Sequence, residues 1–177
     1  SGGSFTPTSN ITMTARWSVT PIIPTITMGA NSGVTQTAGT INWTSTNQAS
    51  FSSTGTFSGS GTTGTSISKT GLTPGTNYTG TVTVTSSTGH TASANYSLTT
   101  LVAQYTVTWN ANGGTGGGST GPFNAGTAHT APSPGTRDGY TFNGYYNTPS
   151  GDYTYGPITS GGSFTPTSNI TMTARWS

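Results

Sequence analysis

Asp138 and Asp152 are the only acidic side chains in the sequence and therefore its only candidates for hydrolytic chemistry. Paired carboxylates can cleave a glycosidic bond when the fold holds them on either side of that bond. The contexts of these two residues, RDGY and SGDY, are instead typical of turns, in which aspartate hydrogen-bonds to nearby backbone. We interpret both residues as turn formers and expect no catalytic residue in this chain.

Histidines and glycine-rich loops offer little further chemistry. His90 lies in STGHTAS and His129 in GTAHTAP, and neither context resembles the nucleophile elbow of a Ser-His-Asp hydrolase. Calcium sites need several carboxylates and carbonyl groups, and residues 26–100 contain no acid. The loop NANGGTGGGSTG lacks the lysine and the following helix of a phosphate-binding loop. We therefore expect no metal site and no cofactor, and we predict that the chain is not an enzyme.

Aromatic residues are the strongest candidates for binding. Six of them crowd one short window: Tyr140, Phe142, Tyr145, Tyr146, Tyr153 and Tyr155. Because aromatic rings stack on sugar faces, Tyr145, Tyr146, Tyr153 and Tyr155 are candidate contacts for a glycan or for a neighbouring module. The alternative is that alternate rings build a core that has few aliphatic side chains. Adjacent residues of a strand point to opposite faces, so we expect one of Tyr145 and Tyr146 to be exposed.

The composition excludes several classes of partner. Charged residues make up 3% of the chain, against roughly 25% in ordinary soluble proteins. Four scattered bases cannot form the cluster that nucleic-acid binding requires, and no apolar run approaches the ~20 residues of a membrane span. The absence of cysteine excludes a disulfide framework. Aromatic residues are 10% of the chain, which indicates a folded protein rather than a disordered one.

Strands must position these residues, because the pattern is that of an all-β protein. Apolar residues alternate with Thr, Ser or Asn, as in Ile41 and Trp43 or Val82 and Val84, and turn signals such as NSG, TPG and NGG separate the runs. No stretch carries the apolar spacing of a long helix. The sequence predicts strands with one buried face and one hydrated face.

One stretch of sequence occurs twice. SGGSFTPTSNITMTARWS fills residues 1–18 and, letter for letter, residues 160–177, so the two copies start 159 residues apart. The pattern predicts a tandem array with a period of 159 residues, of which this chain holds one period and the end of another. The alternative is a single duplicated terminal segment, which would be a strand pair without a core.

Residues 26–100 resemble an immunoglobulin-like module, and in detail a fibronectin type III module. About seven short strands are predicted there, which is the number in such a sandwich. TINWTS resembles the strand that carries the core tryptophan, here Trp43, and GLTPGTNY resembles the Leu-x-Pro-x-Thr-x-Tyr corner with Leu72, Pro74 and Tyr78. The resemblance implies that Tyr78 packs its ring inward and hydrogen-bonds its hydroxyl to nearby backbone.

Residues 105–176 resemble the Listeria–Bacteroides repeat, also known as the internalin B-repeat, of bacterial surface proteins. YTVTWNANGG is similar to its opening strand and turn, RDGYTFNGYYNTPSG to its Gly-Tyr-x-Phe-x-Gly-Trp block, and SNITMTARW to its closing strand. The resemblance implies a small β-grasp-like domain. Tyr145 stands where the family usually has tryptophan, and Thr, Ser and Gly replace most of the family's charged residues.

Together these features predict five segments. Residues 1–18 are the closing strand of a preceding B-repeat, 19–25 a linker, 26–100 the sandwich, 101–104 a joint, and 105–177 the B-repeat domain.

The leading functional hypothesis is a structural repeat segment of a long extracellular or cell-surface bacterial protein, such as a fibre, a filament or an adhesin stalk. Its expected partners are other copies of itself, joined through β-strand contacts. Two alternatives stay open: a glycan- or protein-binding adhesin module, and an accessory segment of a large extracellular enzyme.

Overall fold

The computed structural model describes residues 3–177. All regular secondary structure in that range is β-strand. The chain divides into two compact units. The first comprises the described residues up to Ala30 together with 41–67 and 79–96, and the second comprises 31–40, 68–78 and 97–177. The predicted all-β fold class is confirmed.

Seven strands precede residue 100: β1 (Thr25–Met28), β2 (Ala38–Thr46), β3 (Ser50–Ser53), β4 (Gly59–Gly61), β5 (Ser66–Thr70), β6 (Asn77–Thr85) and β7 (Thr91–Thr99). They form one sheet of order β1-β2-β5 and a second of order β4-β3-β6-β7. Along β2 and β6, buried residues alternate with less buried ones, which reflects the two-residue period of a strand with one inward face.

Aromatic pairs fill the space between these strands. Trp43 on β2 meets Phe51 on β3 edge to face, with ring centroids 5.1 Å apart, and thereby joins the two sheets. Phe57 packs in the same manner on Tyr96 of β7 at 5.6 Å. The Tyr96 hydroxyl donates to the Thr54 carbonyl at 2.7 Å and accepts the Phe57 N–H at 3.2 Å. Two facing sheets with this core agree with the predicted immunoglobulin-like sandwich.

The tyrosine corner has the predicted hydrogen bond. The Tyr78 hydroxyl accepts the backbone N–H of Thr73 at 2.8 Å, and Leu72 beside it is buried. The bond fixes the turn that leads into β6. The specific assignment of residues 26–100 as a fibronectin type III module stays a prediction.

Six strands follow: β8 (Gln104–Asn110), β9 (Gly118–Asn124), β10 (His129–Thr130), β11 (Phe142–Tyr146), β12 (Ser163–Phe164) and β13 (Ile170–Trp176). Four of them form a mixed sheet of order β11-β13-β8-β9, and β10 pairs with β12. β13 is antiparallel to β11 and parallel to β8. The last strand of the chain is therefore an inner strand, hydrogen-bonded on both edges.

The core of this part of the chain is small and aromatic. Its buried members are Val107, Trp109, Ala131, Tyr145, Ile158, Phe164, Met172 and Ala174. Trp109 is central, with Tyr145 at 4.8 Å and Phe164 at 6.4 Å between ring centroids. Large rings thus supply the buried apolar area that the scarce aliphatic side chains do not.

The two identical 18-residue stretches have different structures. Residues 160–177 contain β12 and β13, whereas residues 3–23 contain no strand and are exposed throughout. Met172 is fully buried, but Met13, its equivalent, is 74% exposed. The assignment of residues 1–18 as the closing strand of a preceding repeat, the other domain boundaries and the 159-residue period all stay predictions.

No helix within residues 3–177 is long and apolar enough to cross a membrane.

Candidate functional site

Strands β11 and β13 position the tyrosines that the sequence singled out. In their antiparallel register Tyr145 lies opposite Ala174, and Tyr146 lies opposite Thr173. Consecutive residues of β11 face opposite sides of the sheet, so Tyr145 is buried and Tyr146 is only half-buried. Tyr145 and Tyr146 thus lie on opposite sides of the sheet, whereas the expectation that one of them is exposed or at an interface stays a prediction.

Tyr145 belongs to the core. Its ring packs edge to face on Trp109 and on Phe142, with centroids 4.8 Å and 5.2 Å away, and none of its surface is exposed. Its hydroxyl oxygen has no hydrogen-bond partner among the described residues. Burial disfavours the phenolate and raises the pKa of Tyr145 above the ordinary value for tyrosine. A side chain so enclosed has no surface for a ligand, so Tyr145 drops out of the candidate contacts.

We predict that Tyr145→Phe stabilises the protein by about 1 kcal/mol at pH 7, because the change removes a buried hydroxyl without a partner. The pKa of Tyr145 is higher in the folded protein than in the unfolded chain, where it is near 10. The wild-type free energy of unfolding is therefore unaffected by this group below pH 10 and decreases as the pH rises above that value. The variant should therefore lose less stability than the wild type between pH 9 and 11. Urea unfolding at both pH values measures this.

The matched control for this change is Tyr140→Phe, since Tyr140 is an exposed tyrosine of the same segment. It should leave the stability at pH 7 unchanged. A Tyr145→Phe variant less stable than the wild type at pH 7 would show that the hydroxyl has a favourable partner.

Tyr155 also faces inward in part. Its ring packs edge to face on Phe164 at 5.4 Å, and its hydroxyl lies 3.4 Å from the Thr167 hydroxyl oxygen. Asn147 accepts the backbone N–H of Tyr155 through its side-chain oxygen at 3.0 Å, which ties the segment to the end of β11. Tyr155 therefore borders the core.

Half-buried Tyr146, exposed Tyr153 and half-buried Arg175 contact one another, and we call these three residues the Tyr–Arg cluster. The two rings meet edge to face at 4.8 Å. The guanidinium carbon of Arg175 lies 4.2 Å from the Tyr146 ring centroid and 5.6 Å from that of Tyr153. Such cation–π contacts contribute about 0.5–1 kcal/mol at an exposed surface. Within the cluster Tyr153 is the exposed residue, whereas Arg175 lies over the Tyr146 ring.

Hydrogen bonds hold the Arg175 side chain in place. It donates to the Thr148 carbonyl at 3.2 Å, to the Thr148 hydroxyl at 2.7 Å and to the Gly151 carbonyl at 2.8 Å. The loop after β11 is thereby attached to β13. Arg175 was not among the residues predicted for the site. Alternation along the closing strand predicts that Arg175 faces away from the core when Ala174 faces into it. That Arg175 lies near Tyr146 follows only from the register of β11 and β13.

Asp138 and the two histidines belong to other segments than the Tyr–Arg cluster, whereas Asp152 directly precedes Tyr153 in it. Asp138 lies in a turn, as predicted, and Asp152 lies in the loop after β11. His90 Nδ1 lies 3.1 Å from the Thr88 hydroxyl oxygen, and the His129 ring stacks on Phe123 at 3.4 Å. Within residues 3–177 no three His, Cys, Asp or Glu side chains are grouped so that they could hold a metal ion.

Residues 105–175 match the Listeria-Bacteroides repeat domain. The match begins in β8 and ends in β13, so it includes the mixed sheet except for Gln104 and Trp176. It supports the resemblance noted for residues 105–176, while the internalin B subtype stays a prediction.

Comparison of structures finds similarity to chitinase ChiA74 from Bacillus thuringiensis, with a TM-score of 0.38 and 18% sequence identity. The similarity covers 88% of this chain and 29% of that chain, so the present chain spans less than a third of the length of that protein. No curated protein matches the chain.

Proposed function

We propose that this chain is a structural repeat segment of a longer extracellular or cell-surface bacterial protein, in which stiff β modules hold a terminal part at a distance. The Listeria-Bacteroides repeat at residues 105–175 supports the surface location. One observation carries the structural role: residues 1–18 are a second copy of the segment that contains β12 and β13.

The position of β13 explains why this copy points to an array. β13 is an inner strand whose two edges require β8 on one side and β11 on the other. A second strand of this sequence can form the same hydrogen bonds only beside a second β8 and β11, that is, in another repeat domain. Consecutive repeat domains separated by a sandwich reproduce the 159-residue spacing of the two copies.

Short, hydrogen-bonded connections support stiffness. Before β1, the Ile22 N–H donates to the Thr88 hydroxyl at 2.9 Å, and the Asn47 side-chain amide donates to the Ile23 carbonyl at 2.9 Å. These bonds attach the proline-containing linker to the turns after β2 and after β6. A connection fixed in this way restricts bending more than a free linker of the same length would.

The predicted joint at residues 101–104 is attached at both ends. The Leu101 N–H donates to the Thr35 carbonyl at 3.0 Å, and the Leu101 carbonyl accepts the Gly75 N–H at 2.9 Å. Two residues later, the Ala103 carbonyl accepts the Ala125 N–H at 2.7 Å.

Hydroxyl pairs replace charge on the exposed strand faces. Thr40 and Ser68 lie 2.8 Å apart between hydroxyl oxygens, as do Thr83 and Ser93. Cross-strand Thr and Ser pairs of this kind stabilise a sheet without ionisable groups. With only six charged side chains in the chain, a shaft built from such units should keep its dimensions between pH 5 and 9 and from low to high salt.

Solution scattering from a protein with three 159-residue periods tests the proposal. Each module of about 75 residues should be roughly 30 Å across, so the maximum dimension should grow by about 60–70 Å for each period. The same growth is expected at 0.05 M and 1 M salt. A compact particle whose radius of gyration follows the cube root of its mass would contradict the shaft.

A second function is favoured by the Tyr–Arg cluster, because its Tyr153 is exposed and tyrosine rings stack on sugar faces. In this reading the module is a glycan-binding adhesin. Tyr153→Ala should then reduce the signal on a glycan array at least tenfold, while Tyr140→Ala, an exposed tyrosine away from the cluster, should not. An unchanged signal for the double variant Tyr146→Ala/Tyr153→Ala would eliminate this site.

A further inference from the structure

The repeat sheet has a second face, opposite the aromatic core. Met172 and Ala174 point into the core, so their neighbours along β13 point to the other side of the sheet. Two of these neighbours are Thr171 and Thr173, and the parallel register places Thr108 of β8 beside Thr171. Because Thr108 and Thr171 are exposed, this second face is open to solvent, and we call it the outer face.

An open groove runs across the outer face. Its volume is about 290 Å³, and it is lined by Thr106, Thr108, Asn169, Ile170 and Thr171. The Asn169 side-chain oxygen accepts the backbone N–H of Thr106 at 2.9 Å, which holds the amide in place and leaves its two N–H donors for another partner. With Ile170 as the one apolar lining residue, the groove offers a bound molecule both hydrogen-bond donors and acceptors.

One hydroxyl of the outer face lies deeper than the others. Thr173 is only 6% exposed, and no hydrogen bond within residues 3–177 involves its hydroxyl. In the register of the sheet it lies between Tyr146 of β11 and Asn110 of β8. Buried polar groups are nearly always hydrogen-bonded, so a partner from outside the chain is expected at this position.

The Tyr–Arg cluster lies at one end of the outer face. Tyr146 pairs with Thr173, and Tyr153 packs on Tyr146 at 4.8 Å between ring centroids. Thr173 and Asn169 are separated by about 13 Å along an extended strand. The outer face therefore has an exposed ring at one end, a buried hydroxyl next to it, and a row of hydroxyl and amide groups beyond.

The charge on this face decides which class of ligand it suits. No lining residue of the groove is ionisable, and Arg175 is the cation of the neighbouring cluster. A nucleic acid needs several clustered bases, and an amphipathic peptide needs several apolar anchors, which one isoleucine does not supply. Sugar hydroxyls donate and accept hydrogen bonds as threonine hydroxyls do, and sugar rings stack on tyrosine.

We infer that the outer face binds an extended, uncharged oligosaccharide, with one ring on Tyr153 and the following rings along the groove. The inference rests on the second function proposed above and adds to it the class of glycan and the groove contacts. A β-1,4-linked chain suits the site, because its equatorial linkages give a flat ribbon with hydroxyls along both edges. Only a chain of several rings reaches from Tyr153 to Asn169, so the length of the glycan should matter.

NMR titration of the whole chain with cellotetraose and with cellobiose tests the length dependence. We expect cellotetraose to bind at least about tenfold more tightly, because the disaccharide cannot contact the ring and the groove together. The amide signals of Thr108 and Thr171 should shift with cellotetraose. Mannotetraose and xylotetraose with the same linkage are titrated in parallel. Equal affinities for the tetrasaccharides and their disaccharides, or no binding of any of them, would overturn the inference.

Removing two hydroxyls separates the groove from the Tyr–Arg cluster. Thr108→Val/Thr171→Val keeps a branched side chain at two exposed strand positions, so the fold should be preserved. This double variant should bind the tetrasaccharide about tenfold more weakly and the disaccharide as the wild type does. The matched control is Thr99→Val, at an exposed threonine of β7 outside the repeat, which should change neither affinity.

Thr173→Val tests the buried hydroxyl. The change removes a hydroxyl without a partner, so the stability should not fall, whereas the affinity for the tetrasaccharide should fall about fivefold. Unchanged affinity in either this variant or the double variant would overturn the inference, even where Tyr153→Ala abolishes binding and so supports the proposed glycan site. Tighter binding of a β-1,4-linked glucuronate chain would overturn the assignment of an uncharged ligand. A wild type that binds no glycan at all would contradict the second proposed function as well.

Discussion

Replacing Trp109 by alanine should lower the free energy of unfolding of the repeat domain by about 3–5 kcal/mol. The side chain is almost fully buried at the centre of the core and packs on both Tyr145 and Phe164. Its indole N–H donates to the Thr120 hydroxyl at 2.8 Å, so truncation also removes a hydrogen bond to β9. For a domain of this size such a loss is a large part of the total stability.

Amide hydrogen exchange of strands β8 and β13 in increasing urea measures the Trp109→Ala effect, because it reports on the repeat domain alone. Trp17→Ala provides the matched control within the same chain, since Trp17 is exposed. It should change the stability by less than about 0.5 kcal/mol. Similar losses for Trp109→Ala and Trp17→Ala would contradict the assignment of Trp109 to the core.

The second large effect separates local sequence from tertiary position. Met172→Ala should destabilise the repeat domain by about 2–5 kcal/mol, because it leaves a cavity in the aromatic core. Met13→Ala changes the same residue within the same 18-letter sequence and should have almost no effect. Since the intrinsic strand propensities are identical, the difference between the two variants equals the contribution of the surrounding fold.

Urea unfolding of both methionine variants at 25 °C and 10 µM, where the chains are expected to be monomeric, provides the measurement. Equal destabilisation by the two changes would mean that residues 9–17 are packed in a core as β13 is. That result would contradict the exposed N-terminal segment.

Much of the fold follows from residue patterns that act over a few positions. Alternation predicted the inward and outward positions of β2 and β6, and it predicted that Tyr145 and Tyr146 part to opposite sides of the sheet. The hydrogen bond to the Tyr78 hydroxyl was predicted from the family motif that runs from Leu72 to Tyr78. These features depend on neighbours in sequence, so a single sequence is enough to predict them.

The candidate site was predictable only in part. The four tyrosines were singled out together, but Tyr145 is in the core, Tyr155 borders it, and only Tyr146 and Tyr153 contact each other outside it. Arg175 joins that surface from a strand 29 residues after Tyr146, through the register of β11 and β13. Register depends on which strands pair, and the sequence does not specify that pairing residue by residue.

Residue patterns alone indicate that this protein is built from strands with one apolar face. They also indicate that residues 9–17 and 168–176, which are identical, are equally suited to form such a strand. The tertiary contacts distinguish the two copies, because the second copy forms β13 and the first copy is exposed. The physical reason is that strand propensity spans only about 1 kcal/mol, whereas an inner strand is stabilised by hydrogen bonds on two edges and by buried side chains. These hydrogen bonds come from β8 and β11, which residues 170–176 contact and residues 11–17 do not.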